Sequence, residues 1–358
     1  MSSMVRLSPL FALLGLAGLS SPALAQDGSE WDHARAQTLA GQRGSMVQAI
    51  ERWKLLLASN RFTFSDYAGF LLTYPGFPNE EKLRVQAEAA LDREVRDSAQ
   101  VVAFFQKFPP ITNAARAQYA LALAALRREG ASDVGIAAWR GGAMSDASES
   151  ALLYLYAPLL TRADHDARMD ALLWDGATAQ AERQIAYVSP EAKNGFMERL
   201  ALLQGSPPGS LGLPPSPDLL RDTGYVYNRV RQARLSGNLG GAIQLLSTRP
   251  LATKPALNPT RWIGELLSAA KGAGASSAVR IAAAVDDAFP AGTDVSSKSY
   301  KLRDDYTTLV WLGGTKALWS LGDAASAAPL FYRYGAAAKT PGTRAKGFYW
   351  AGRAAAQA

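Results

Sequence analysis

The sequence predicts an all-α protein, a superhelical solenoid of helical hairpins, on three observations. Apolar residues recur at helical spacing in one segment after another, each bounded by capping or breaking residues. In the second half the turns recur roughly 36 and 49 residues apart, the spacing of two-helix repeats. Nowhere does alternation of apolar and polar residues suggest a series of strands. At 358 residues, 48% of them hydrophobic, the chain can bury a core of roughly two or three domains.

The first 25 residues stand apart. Arg6 precedes an apolar run from Leu7 to Leu19, and the small-residue triplet Ala23-Leu24-Ala25 follows. The run is short for a membrane span and its ending suits signal-peptidase cleavage, so residues 1–25 are expected to be an export signal and Gln26 the mature start. No cysteine stands there to take a lipid, and no second long apolar stretch exists. The expected location is the periplasm, with no integral membrane segment after cleavage. Without cysteine no disulfide can brace the fold in an oxidising compartment, and packing has to do so instead.

Residues 26–205 read as a first helical arm. Asn79 precedes Glu80 and Glu81, acidic residues that suit the positive end of a helix, so Asn79 is expected to cap a segment reaching about Asp92. Further helices are expected from Ala114 to Glu129, Asp146 to Leu160, Asp166 to Trp174 and Ala177 to Tyr187, with breaks at Gly130, Gly141-Gly142 and Asp175-Gly176. Residues 206–222 hold Pro207-Pro208-Gly209 and Pro214-Pro215-Ser216-Pro217, a proline-rich linker of extended character.

Residues 223–358 read as a second arm of hairpins. One runs from Tyr225 through Ser236-Gly237-Asn238 to about Ser247. The next starts after Asn258-Pro259, a cap followed by proline at the first helical position, turns at Gly272-Ala273-Gly274 and ends near Ala288. The third starts near Tyr306, turns at Gly322-Asp323 and continues to Ala338. Its Gly322, Asp323, Ala327 and Phe331 are close to the second-helix pattern of tetratricopeptide-like units, with a small residue where two helices cross.

Thr343 to Ala358 forms a last helix by pattern. Helical steps put Ala345, Phe348, Gly352 and Ala355 on one face and Lys346, Trp350 and Arg353 on the other. A solenoid helix buries its apolar face only against a neighbour, so this one is expected to be the first of a hairpin whose second helix is missing, with more protein after Ala358. Gly352 would allow the close crossing. The other reading has the helix packed back on its own arm, with Trp350 a lone surface aromatic.

Four stretches together resemble a known family. They are Tyr74–Leu91 (YPGFPNEEKLRVQAEAAL), Asp164–Trp174 (DHDARMDALLW), Tyr227–Leu246 (YNRVRQARLSGNLGGAIQLL) and Arg344–Ala356 (RAKGFYWAGRAAA). They are similar to the N-terminal superhelical region of the soluble lytic murein transglycosylases. The resemblance implies a U-shaped helical domain, followed in that family by a linker domain that closes a ring and by a lysozyme-like catalytic domain. It further implies periplasmic cleavage of peptidoglycan to 1,6-anhydromuramoyl products. The family's catalytic signature is Glu-Ser with a downstream Gly-Leu-Met-Gln. Here the only Glu-Ser is Glu149-Ser150, followed by Ala-Leu-Leu-Tyr, and Gly-Leu-Met-Gln does not occur. No catalytic residue carries over, Glu149 is expected to be an ordinary exposed helix residue, and this chain alone is expected to be inactive.

Other chemistries find little footing. With His33 and His165 as the only histidines and no cysteine, a conventional zinc site is not expected, and no glycine-rich phosphate loop is present; no metal and no cofactor are expected. His165 lies among Asp164, Asp166 and Asp170, in what reads as a helix-capping neighbourhood rather than a metal site.

Charge is unequal between the halves. Residues 26–205 hold 19 basic and 22 acidic side chains, residues 206–358 hold 18 and 9. Such a basic second half suits an anionic partner, in an exported protein a cell-wall polymer, a lipid surface or an acidic protein rather than nucleic acid. The candidate substrate-binding residues are Arg229, Arg231 and Arg234 on one helix and Lys346, Trp350 and Arg353 on the last. Arginine can hold a carboxylate through paired hydrogen bonds and a tryptophan face can stack on sugar, which suits peptidoglycan glycan strands. The rival reading is a stand-alone periplasmic helical-repeat adaptor that binds protein partners.

Overall fold

A computed structural model describes residues 46–93, 97–213 and 217–358. The export-signal features, Gln26 and His33 lie outside them, as do Pro214, Pro215 and Ser216. Every regular element among the described residues is helical, seventeen α-helices with short 3-10 segments and one π-turn, and no strand occurs among them. The all-α fold class therefore holds. No helix among the described residues is long and apolar enough to cross a membrane.

The chain divides into two units, one ending at Asn60 and one from Arg61 to Ala358. The described part of the first is helix α1 (Met46–Ala58), with a surface ion pair from Lys54 to Glu51 at 2.8 Å.

The second unit opens with α2 (Phe64–Thr73), α3 (Glu80–Ala90) and α4 (Ser98–Lys107). Thr63 and Asp66 close a capping box ahead of α2, each side chain accepting from the other's backbone N–H. Asn79 does not cap α3 as the sequence suggests: it sits in the left-handed region at φ 59° and its side chain makes no cap bond. Glu80, in the first turn of α3, instead accepts from Gly76 N at 2.7 Å and so stabilises the preceding turn. Phe64 meets Phe104 edge to face at 5.3 Å, tying α2 to α4. The next hairpin is α5 (Asn113–Ala125) and α6 (Ala131–Arg140), the latter unmarked in the sequence reading. Glu88, almost fully buried on α3, accepts from both Ile111 N and Thr112 N at 2.7 Å, so its oxygens are satisfied by the donors that open α5.

Helices α7 (Asp146–Tyr156), α8 (Arg162–Asp175), α9 (Thr178–Gln184) and α10 (Pro190–Leu203) follow. Helix α8 starts four residues before the expected Asp166, because Thr161 and Asp164 form a second capping box. The proline-rich stretch is turned rather than extended over 208–211: Ser210 N bonds Pro207 O and Gly212 N bonds Gly209 O. Residues on its two sides pack directly. Trp174 stacks on Tyr227 at 4.5 Å, and Asn228 Nδ2 donates to Leu173 O.

Beyond a 3-10 turn at Pro217–Arg221 come three hairpins. They are α11 (Thr223–Leu235) with α12 (Leu239–Thr248), α13 (Pro259–Gly272) with α14 (Ala275–Ala283), and α15 (Tyr300–Thr315) with α16 (Ala324–Ala337). The turns fall where the sequence put them. Gly237 takes φ 82° between α11 and α12, and Asn258 accepts from Arg261 N ahead of Pro259. Helix α15 begins a turn and a half before the expected Tyr306 and runs into a π-turn over Lys316–Ser320. Ala327 and Phe331 are fully buried, as the repeat pattern requires.

The last helix, α17 (Pro341–Gln357), packs antiparallel in sequence order against α16, and its faces correct the sequence reading. Gly347, Ala351 and Ala354 are buried, with Trp350 half-buried beside them; Ala345, Phe348, Gly352 and Ala355 are exposed. Trp350 meets Trp319 at 5.0 Å and Phe331 at 6.3 Å, so it is no lone surface aromatic. The crossing glycine is Gly347 rather than Gly352. A Cβ on Gly347 would come within 2.5 Å of the Gly335 backbone, whereas one on Gly352 would meet nothing within 4 Å. Gly347→Val is expected to lower stability by about 1–3 kcal/mol through overpacking. Gly352→Ala is expected to raise it by about 0.5–1 kcal/mol, since it only removes backbone freedom in a helix interior. Urea unfolding of the full chain with both variants checks this; equal effects would contradict the crossing.

Candidate functional site

The six residues named from sequence fall into two groups on helices with different neighbours. Helix α11 packs on α8, α10, α12 and α13, whereas α17 packs on α16. On α11, Arg234 is committed to structure, its Nε and Nη2 donating to both oxygens of Glu265 at 2.9 and 2.8 Å. This bidentate pair, with Glu265 only 9% exposed, joins α11 to α13 and holds the Arg234 guanidinium firmly in its charged form. Arg229 and Arg231 are half-buried. Arg229 lies near the Tyr225 phenol, and Arg231 leans towards Gly176 at the end of α8. Spaced by two and five positions, the three arginines do not share one helix face.

On α17 the cations lie over aromatic rings. Lys346 Nζ sits 3.8 Å from the Trp311 ring centroid and 5.9 Å from that of Tyr334. The Arg353 guanidinium lies 5.8 Å from the Trp350 centroid and donates to the Tyr349 hydroxyl at 3.3 Å. Arg344, which the sequence reading passed over, lies 5.6 Å from the Phe348 centroid and donates to Ala338 O. Helix α17 carries no carboxylate, so these cations have no acidic partner on their own helix. Exposed Tyr349 and Tyr332 flank them, the latter against Phe348 at 5.5 Å. The result is two ring-and-cation clusters on opposite flanks of the buried stripe of α17, Lys346 and Arg353 with Trp311 and Trp350 on one and Arg344 with Phe348 and Tyr332 on the other, legible only when α15, α16 and α17 are assembled.

Glu149, expected to be exposed, is not. Its carboxylate is 14% exposed and stands 2.9 Å from Arg183 and 3.1 Å from Arg168. Arg168 is fully buried: Nη1 donates to Gly142 O at 2.7 Å and the guanidinium lies 4.2 Å from the Trp139 centroid. Burial draws its pKa down to about 10, against the opposing pull of Glu149. Glu149 is thus the counter-ion of a buried arginine, with α7 and α8 tied through it.

The three aspartates near His165 are all engaged elsewhere. Asp164 binds Thr161 and Arg140, Asp166 accepts from Ser189 N and Oγ, and Asp170 pairs with Arg199 at 2.6 Å. Among the described residues no group of three or more such side chains is placed to hold a metal. His165 itself stacks on Tyr187 at 5.1 Å, and its Nδ1 accepts from Trp139 Nε1 at 3.3 Å. The indole can only donate, so the neutral ring carries its proton on Nε2. Comparison with protein-family models, characterised proteins and solved structures gives no match.

Two expectations follow from these placements. Arg234→Ala strands the nearly buried Glu265 and should cost about 1–3 kcal/mol. Arg353→Ala at the exposed end of α17 should stay within about 0.5 kcal/mol, as thermal and urea unfolding will report. For His165, burial holds the imidazole pKa below its ordinary 6.5, outweighing the pull of Asp164. The unfolded chain then binds more protons than the folded one just below that value. Stability is complete above about pH 6.5 and falls as pH drops through the window. Urea midpoints from about pH 7.5 to about pH 5.5 should fall more steeply for the native chain than for His165→Gln.

Proposed function

We propose that this chain is the helical scaffold of an exported, periplasmic protein that acts on peptidoglycan, as its resemblance to lytic transglycosylases implies. Its partner would be the glycan strand with its carboxylate-bearing peptide stems. The observation that supports this most is one flank of α17, where Lys346 and Arg353 stand over Trp311 and Trp350 with no carboxylate on the helix. The basic balance of residues 206–358 adds a field of the same sign.

Chemically the surface is a binding face rather than a reacting one. Guanidinium and ammonium groups hold carboxylates, and exposed rings offer flat apolar area to sugar faces. Cleavage needs a carboxyl of raised pKa beside the leaving oxygen, and the Glu-Ser and Gly-Leu-Met-Gln signature does not occur in this sequence. We assign the chain a holding role, with glycan cleavage belonging to a catalytic module of the kind found in that family.

Exposed ion contacts are worth about 0 to 1 kcal/mol each, so several must act together and salt should weaken them. Co-sedimentation of the full chain with purified sacculi should show binding that falls with added salt. The double variant Lys346→Ser, Arg353→Ser should weaken it by roughly fivefold to tenfold. No 1,6-anhydro product should appear in the supernatant. Unchanged binding in the double variant, or binding indifferent to salt, would overturn the reading and favour a protein-binding adaptor.

A further inference from the structure

A cleft of about 450 Å³ opens between the segment 289–295 and α16, within the range of roughly 300–1,000 Å³ typical of small-ligand sites. Buried Phe289 and Tyr306 form its floor, and Ala336 and Ala337 of α16 form one wall. Its polar lining centres on an ion pair, Arg333 Nη2 to Asp286 Oδ2 at 2.9 Å, with Thr293 and Asp294 beside it, the Asp294 carboxylate accepting from Ser296 N at 2.9 Å. Both charges are fixed in place. Tyr306 donates to Asp286 Oδ1 at 2.9 Å, and Arg333 Nη1 donates to Ala283 O at 2.9 Å. Burial and the Asp286 charge push the Tyr306 phenol far above its ordinary range, so it remains a donor at any physiological pH.

The pair retains capacity towards the opening. A carboxylate has about four acceptor sites and a guanidinium five donors, and the contacts above use two of each. The side chains remain 54% and 31% exposed. At the rim stands Tyr332, 60% exposed, its ring backed by Phe348. An anionic ligand would be repelled by Asp286 and Asp294, and a cationic one by Arg333. A wholly apolar ligand would strip water from both without replacing its hydrogen bonds. The chemistry that fits is a ring with an apolar C–H face for Tyr332 and hydroxyl groups on its edge for Asp286 and Arg333.

We infer that this cleft is a binding site for one neutral saccharide ring, held by stacking on Tyr332 and by hydrogen bonds to the Asp286–Arg333 pair. The site stands on its own geometry; the sugar tested first rests on the peptidoglycan reading above.

Isothermal titration of the full chain with a tetramer of N-acetylglucosamine tests it, with indole and acetate as apolar and anionic controls. The tetramer should bind with a Kd of about 1 mM or tighter and the controls should not. Tyr332→Ala, at an exposed position, should keep the melting temperature and weaken binding at least tenfold. Arg333→Lys, which keeps the charge but loses the planar fork, should weaken it as well. No binding of the tetramer by the folded chain, equal binding by Tyr332→Ala, or equal binding of indole would overturn the inference. Sacculus binding that persists while the tetramer fails would sink this site and leave the α17 reading standing. Tetramer binding without sacculus binding would do the reverse.

Discussion

Close approach of helix backbones at small residues is the constraint on which the second unit depends. Helices of seven to seventeen residues are marginal alone in water, so each must bury its apolar stripe against a neighbour. At Gly347 the backbone of α16 comes so near that no Cβ fits, and Gly335 leaves only a tight fit against Phe348 and the Arg344 carbonyl. Gly313 and Gly314 admit Ala282, Leu330 and Phe331 to α15 in the same way, and Gly135 admits the Tyr156 ring to α6. With no cysteine in the sequence, dispersion contacts of this kind take the place of covalent bracing.

Between hairpins a second device operates, the arginine that crosses from one repeat to the next. Arg168 reaches Gly142 O and Glu149; Arg199 reaches Asp170 and Asn228; Arg249 joins Asp287 while lying over Trp262; Arg261 donates to Trp174 O. A planar fork with five donors can satisfy carbonyls and carboxylates on two helices at once, which an ammonium cannot. Burying such a charge is costly, and the cost is met only where partners are already in place. These residues therefore favour one register of stacking over others. They also explain why a basic composition does not translate into an equally basic surface: Arg234 and Arg249 are absorbed by the fold, while Arg344, Lys346 and Arg353 are left over aromatic rings.

One of those leftover cations, Arg344 on α17, lies near the cleft that α16 lines. Phe348 links the two, receiving Arg344 on α17 and backing Tyr332 on α16.

The sequence by itself determined the helical class, the hairpin turns at Gly237, Gly272–Gly274 and Gly322, and the capping of α13 by Asn258, because these depend on a residue and its near neighbours in the chain. The same local rules missed α6, which lies between the expected breaks at Gly130 and Gly141-Gly142 and holds Gly135 where it admits Tyr156. They placed the cap position of α3 at Asn79 but not its bonding, since Asn79 can adopt a left-handed backbone without using its side chain. Which face of α17 is buried was undecidable from periodicity, because glycines and alanines lie on both faces and only the position of Gly335 selects Gly347 over Gly352. Likewise Glu149 looked like any exposed helix residue until Arg168, nineteen positions on, brought a buried charge to it. Where cations and rings meet was decided only by the tertiary structure, for whether a cation is spent inside the fold or left at its surface depends on partners remote in the chain.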